Sequence, residues 1–74
     1  MTLAQLKVGR NAVVKRLQGD DHCLVRLMEM GLTPGTVVQV NRLAPLGDPL
    51  YLSLRGYDLS IRKSEARRIE IDAL

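Results

Sequence analysis

One short stretch of this sequence gathers side chains that bind metals or move protons: Asp20, Asp21, His22 and Cys23 stand side by side. All four are potential metal ligands, and a histidine beside a cysteine is a pair that nucleophilic catalysis uses. A closed zinc site normally needs paired cysteines or histidines, however, and this chain has one of each. We therefore interpret the stretch as a helix start, with the aspartates as caps, the histidine in solvent and the cysteine packed. We assign no metal site, and the sequence leaves open weak Fe²⁺ binding or a site shared with a second chain.

An enzyme is not indicated. Adjacent helix positions point about 100° apart, so His22 and Cys23 are poorly placed to act as a catalytic pair. The sequence also contains no glycine-rich phosphate loop. We therefore assign no catalytic residue and no cofactor.

Nucleic-acid binding is the next class to consider, because basic residues cluster late in the chain. Small barrels that bind RNA combine such residues with aromatic side chains for stacking, but aromatic residues make up only 3% of this sequence. The basic residues are interleaved with acids, which is typical of a solvated rim. We therefore predict no nucleic-acid partner. The cluster consists of Arg55, Arg62, Lys63, Arg67 and Arg68.

A loop that contains two of the three prolines is a stronger candidate for a binding surface. In "APLGDPL", Pro45 and Pro49 stiffen the backbone, and Gly47 with Asp48 suits a tight turn. The simplest interpretation is a hairpin connection between two strands. A turn does not need a leucine at its tip, however, and Leu46 on a stiffened loop would lose little entropy on docking into a partner. An aromatic-lined groove for polyproline is not expected, because the chain has no Trp or Phe.

The surrounding sequence predicts one helix and five short strands. The helix begins at Asp20 or Asp21 and ends at Gly31, beyond which Pro34 prevents its continuation. Single helical turns are predicted in "TLAQL" and from Ser64. The expected apolar stripe of the helix is Leu24, Leu27 and Met28. The buried face of the first strand is ambiguous from the sequence, and we choose Ala12 and Val14 as inward, with Leu17 covering the end. In the later strands, alternation places these residues inward: Val38, Val40, Leu50, Leu52, Leu54, Tyr57, Leu59, Ile61, Ile69 and Ile71.

Five strands with one apolar face must hide their edges. The predicted fold is therefore mostly β: a small, SH3-like, partly open barrel of about five antiparallel strands with one inserted α-helix. A chain of 74 residues is expected to form a single domain, residues 1–74. Strands at the opening of the barrel could pair between copies, so the sequence leaves a homo-oligomer open.

Composition and charge indicate the cellular compartment of the protein. The net charge of +3 is mild, and the single cysteine fits a reducing compartment. No stretch approaches the roughly 18 apolar residues of a membrane span, and the N-terminus lacks the apolar core of a signal peptide. We expect a cytoplasmic protein without direct membrane insertion.

Several motifs resemble the FeoA family of ferrous iron transport accessory proteins. They are "LMEMGLTPGTVVQV", the "APLGDP" loop, "RGY" and "RKSEA" before the last strand, in the family's order and across most of the chain. The resemblance implies an SH3-like barrel with an inserted helix. It also implies that this protein is itself a cytosolic partner of FeoB, a membrane ferrous iron transporter. In that role it would dock on the cytoplasmic part of FeoB and modulate nucleotide hydrolysis or transport.

The family has no agreed catalytic residue, so the resemblance implies no catalytic role. Which residues contact the partner is our own inference from these motifs. An alternative hypothesis is a small Fe²⁺-binding sensor or carrier that uses His22 and Cys23. The residues assigned to partner binding are Leu32, Ala44, Pro45, Leu46, Gly47, Asp48, Pro49, Arg55 and Tyr57.

Overall fold

The five predicted strands form one antiparallel sheet in the computed structural model, which describes all 74 residues. The strand order is β4-β3-β2-β1-β5. Neither α-helix is long and apolar enough to cross a membrane. The strands are β1 Asn11–Leu17, β2 Val37–Leu43, β3 Leu50–Leu54, β4 Tyr57–Ile61 and β5 Ile69–Ala73; the helices are α1 His22–Glu29, between β1 and β2, and α2 Lys63–Ala66, between β4 and β5, and a short 3-10 helix, Leu3–Gln5, precedes β1.

Irregularities in two interior strands, β1 and β2, curve this sheet. The pairing of β1 with β5 shifts between Val14 and Arg16, and the pairing of β2 with β3 shifts between Val40 and Arg42. A bulge of this kind bends its strand and increases the local twist. The sheet therefore folds around its apolar face, which leaves a compact molecule of 29 × 24 × 23 Å.

The enclosed core is entirely aliphatic. It contains 15 buried hydrophobic residues, and β3 shows the cleanest alternation, with every second side chain buried. The predicted inward positions are confirmed in β1, β2, β3 and β5, and Ile61 is buried at the end of β4 while Leu59 is half-buried.

Two predicted core residues lie instead at the surface. Tyr57 is 43% exposed, because it directly follows a tight turn and its hydroxyl donates a hydrogen bond to the carbonyl of Met30. Met28 is 42% exposed, while Leu27 is fully buried. The buried stripe of α1 is therefore narrower than predicted, because the helix contacts the edge of the core along essentially one line of side chains.

The helix α1 ends before Gly31, as predicted, and its C-terminus forms a Schellman motif. The N–H of Leu32 donates to the carbonyl of Leu27 at 3.2 Å, and the N–H of Gly31 donates to the carbonyl of Met28 at 3.0 Å. Gly31 has a φ of +102°, a conformation that costs little only for glycine. Leu32 and Leu27 are both fully buried, so the same turn that ends the helix also delivers a leucine to the core.

This helix end rests on the turn between β3 and β4. The Arg55 guanidinium donates to the hydroxyl of Thr36 at 2.9 Å and to that of Thr33 at 3.3 Å. The hydroxyl of Tyr57 donates to the carbonyl of Met30, the C-cap residue that directly follows the helix. Two of the motifs seen in the sequence, "MGLTPG" and "RGY", are therefore packed against each other.

We expect Gly31→Ala to lower the free energy of unfolding more than Gly47→Ala does. Both glycines have positive φ, +102° and +83°, so both substitutions carry a backbone cost of about 1 kcal/mol. A β-carbon at Gly31 would also meet the Tyr57 hydroxyl, whereas one at Gly47 meets nothing. Urea denaturation of the two variants measures the difference. Equal losses would contradict a close contact between Gly31 and the Tyr57 hydroxyl.

Candidate docking loop

Residues 44–49, called the docking loop below, form the connection between β2 and β3, as predicted. The N–H of Gly47 donates to the carbonyl of Ala44 at 2.7 Å, which closes a four-residue turn with Pro45 and Leu46 at its centre. Proline is favoured at the first central position, because its fixed φ suits the turn. The N–H of Ala44 donates to the carbonyl of Pro49 at 3.0 Å and closes the base of the loop.

The tip of this loop is the most exposed apolar side chain of the protein. Leu46 is 96% exposed, and the next most exposed large hydrophobic residue, Leu74, is 62% exposed. The loop is tied to the rest of the fold, since the backbone N–H of Lys63 donates to the Asp48 carboxylate at 2.9 Å. Leu46 is thus presented to solvent by a turn that is fixed at both its closure and its base.

Below the docking loop, one buried carboxylate joins both helices. Glu65 accepts hydrogen bonds from the Arg62 N–H at 2.8 Å and from the Cys23 thiol at 3.3 Å, and it forms an ion pair with Arg26. Burial raises the pKa of this carboxyl, but the hydrogen bonds from Arg62 and Cys23 and the charge of Arg26 outweigh it, so the pKa lies below its usual value. Glu65 is therefore charged in the folded protein and holds α1 against α2.

The same contact explains why α2 begins one residue earlier than predicted. The helix starts at Lys63 rather than Ser64, because the Glu65 side chain bonds the N–H of Arg62, the residue that precedes the helix. A carboxylate at this position of the first turn satisfies a free N–H group of the helix start.

The stretch "DDHC" forms the start of α1, with Asp21 as its N-cap. The Asp21 carboxylate accepts from the N–H of Leu24 at 3.2 Å and from the Arg68 guanidinium at 2.8 Å. The hydrogen bond from Arg68, and then that from Leu24, lower the pKa of Asp21. His22 is exposed and Cys23 bonds Glu65. No cluster of three or more histidine, cysteine, aspartate or glutamate side chains is arranged to share a metal ion.

The residues predicted to bind a partner do not form one patch. Leu32 is fully buried in the core, so its assignment to a docking surface is wrong. Arg55 and Tyr57 bond the helix end, at the opposite end of the β3–β4 hairpin from the docking loop. The residues that the structure brings together at the surface are those of the docking loop itself: Ala44, Pro45, Leu46, Gly47, Asp48 and Pro49.

An open groove of about 540 Å³ beside the docking loop was not predicted from the sequence. Its basic residues come from separate elements, Arg26 from α1 and Arg62 from the start of α2. Asp48 and its hydrogen-bond partner Lys63 are 15 residues apart in the sequence, so no local spacing pattern predicts their contact. The remaining lining residues are Pro49, Ser60, Ile61 and Glu65.

We expect the stability advantage of the wild type over Glu65→Gln to depend on pH. The folded-state pKa of Glu65 lies below its ordinary value of 4.5, so its carboxylate stabilises the fold fully above that pH and progressively less as the pH falls. At neutral pH the substitution should cost about 1–3 kcal/mol, since it weakens a buried hydrogen-bonded charge.

Urea denaturation of both proteins between neutral pH and pH 3 measures this gap. The pKa values of Asp21 and Glu70 are also lowered, by hydrogen bonds from Arg68 and Arg16, but both groups are present in both proteins and cancel in the difference. A gap that stays constant below pH 4.5 would contradict the role given to the Glu65 charge.

Comparison with known proteins gives this arrangement a family context. The FeoA domain family matches residues 1–73. Over all 74 residues the chain is 35% identical to the "Fe(2+) transport protein A/Fe(2+) transporter FeoB fusion protein" of Porphyromonas gingivalis. The chain spans only 9% of that fusion protein.

Solved structures agree on the fold. The chain is 34% identical to iron(II) transport protein A of Clostridium thermocellum, with a TM-score of 0.95 over 100% of this chain and 46% of that one. It is 33% identical to the FeoA of Stenotrophomonas maltophilia, described as a prokaryotic SH3 domain protein and crystallised with zinc, with a TM-score of 0.86 over 97% of this chain and 89% of that one. The mostly β, SH3-like fold with an inserted helix is thus confirmed, and the chain belongs to the FeoA domain family.

Proposed function

We propose that this protein is a cytoplasmic docking module that binds the cytoplasmic part of a FeoB-type ferrous iron transporter through the docking loop and modulates its activity. The observation that carries this proposal is Leu46, which is 96% exposed at the tip of an anchored turn. The relative in Porphyromonas gingivalis supports the choice of partner, because its name joins transport protein A and FeoB in one polypeptide.

The energetics of a single leucine suit a regulatory contact. Complete burial of a leucine side chain contributes about 1.5–3 kcal/mol. The turn hydrogen bond of Gly47 and the anchor at Asp48 already hold the loop, so little backbone entropy is lost when it docks. Leu46 therefore supplies a useful share of the affinity of a reversible complex without providing all of it.

A non-catalytic module changes a transporter only through binding. If the transporter alternates between states, a bound protein shifts their populations by the difference between its affinities for them. Under this proposal the docking loop fits one state of the cytoplasmic region better than the others. The direction of the effect on transport then follows from which state that is.

We expect Leu46→Asp to weaken binding to the isolated cytoplasmic region of FeoB by about ten- to a hundredfold, which corresponds to the loss of one buried leucine. Isothermal titration calorimetry measures the dissociation constants. Leu74→Asp is the matched control, because it places the same charge on another exposed leucine, near β1 rather than in the loop. Wild-type affinity in a folded Leu46→Asp protein would remove the docking loop from the interface.

A further inference from the structure

The two edges of the sheet differ in how they are covered. Along β5, the N–H of Ile71 donates to the carbonyl of Met1 at 2.9 Å, and Thr2 forms a β-bridge with Glu70. The N-terminal segment therefore covers that edge. At the other end of the sheet, β4 pairs only with β3. An uncovered edge of this kind presents backbone groups on which another extended chain can pair.

The geometry of the β3–β4 hairpin identifies which groups these are. Two residues, Arg55 and Gly56, both with positive φ, connect the strands, so the closing pair Leu54–Tyr57 is hydrogen-bonded. Hydrogen-bonded and non-hydrogen-bonded pairs alternate along an antiparallel ladder. The N–H and C=O groups of Asp58 and Ser60 must therefore point away from β3, and no other backbone group bonds them.

Solvent reaches this edge from two sides. The 540 Å³ groove beside the docking loop borders the end of β4 at Ser60 and Ile61. A second open groove, of about 370 Å³, borders Asp58, Leu59 and Ser60. Ser60 lines both grooves and is exposed. The edge is therefore accessible to an extended chain.

The charges around Ser60 favour an acidic occupant. Arg62 lines the first groove and Arg42 lines the second, and neither forms a salt bridge within the chain. Of the acids in the first groove, Glu65 is already paired with Arg26 and Asp48 accepts a hydrogen bond from Lys63. The outer face of β4 carries one acidic side chain, Asp58. Asp58 also lines the second groove with Arg42, whose guanidinium lies 3.9 Å from the centroid of the Tyr51 ring. Arg62, which forms no salt bridge, is therefore the main guanidinium available to a carboxylate, and Arg42 is a secondary one.

We propose that the β4 edge binds an extended, acidic segment of a protein partner as an added strand. Backbone pairing to Asp58 and Ser60 supplies the affinity, and carboxylates of the segment pair with Arg62 and Arg42. A second copy paired through β4 would offer these arginines only one carboxylate from its own β4, Asp58, whereas an acidic segment offers several. This site goes beyond the docking of Leu46 and does not depend on it.

The test uses two blocked peptides, Thr-Glu-Val-Glu-Val-Thr and its lysine counterpart Thr-Lys-Val-Lys-Val-Thr, titrated into the isotope-labelled full chain and followed by NMR. With the acidic peptide we expect amide shifts at Asp58, Leu59 and Ser60 and slower hydrogen exchange of the outward amides. The lysine peptide should bind at least about fivefold more weakly.

Ser60→Pro and Ser60→Ala form the decisive pair. Proline removes the outward N–H but leaves the β3–β4 ladder intact, because that N–H does not face β3. We expect Ser60→Pro to bind the acidic peptide about fivefold more weakly, or worse, while Ser60→Ala binds like the wild type. Arg62→Gln should reduce the preference for the acidic peptide.

Several results would overturn the proposal: shifts that lie elsewhere on the protein, equal binding of both peptides, or undiminished binding by a folded Ser60→Pro variant. Concentration-dependent shifts of the β4 amides without peptide would instead assign the edge to a second copy. Leu46→Asp should bind the acidic peptide normally, so this test and the FeoB titration can fail separately.

Discussion

A purely aliphatic core is the constraint on which this fold depends. Fifteen buried hydrophobic side chains fill it, and none is aromatic, because the chain has no Trp or Phe and both tyrosines remain at least partly exposed. Protein interiors are close-packed, and here all five strands contribute buried side chains to one core, which the sheet encloses by curving. The bulges in β1 and β2 provide that curvature. The connections between strands are then directed outward, and the docking loop is one of them.

The contacts of α1 show which sequence motifs are used inside the molecule and which remain at the surface. "MGLTPG" and "RGY" are both used within the molecule, since Arg55 bonds the threonines of the turn and Tyr57 bonds the helix end. Glu65 performs a similar task at the other end of the helix by joining Arg26 and Cys23 to α2. These side chains hold parts of one chain together. Leu46 is different, because it has no neighbour of its own to bury it.

Most of the strand pattern could be predicted from the sequence, and the exceptions share a cause. A two-residue period identifies buried positions such as Leu50 and Leu52 because the alternation is a property of the strand itself. Tyr57 follows the same period, but a hydrogen bond to a distant helix end holds its ring at the surface. Leu32 lies just beyond a helix end, and the Schellman geometry places it in the core and not on a docking surface.

The candidate surfaces also differ in how far the sequence alone predicts them. The turn at Pro45 and Leu46 is local, and its residues alone indicate an exposed tip. The groove beside it joins residues from α1, β4, α2 and the docking loop, and the anchor from Asp48 to Lys63 spans 15 positions. Contacts between elements so far apart depend on how the sheet curves, and spacing along the chain does not encode that. The free edge of β4 is likewise visible only once the strand order is known.

The docking loop and the β4 edge are neighbours through β3. The loop enters β3 at Leu50, which pairs with Ile61 at the end of β4, and Asp48 and Pro49 line the groove that reaches Ser60. A partner segment added to β4 would therefore run beside the base of the loop. If one protein supplied both the socket for Leu46 and the added strand, the first contact would raise the effective concentration of the second. Two contacts that are individually weak would then hold a small, rigid domain in a single orientation, which a regulator without catalytic groups requires if it is to favour one state of its target.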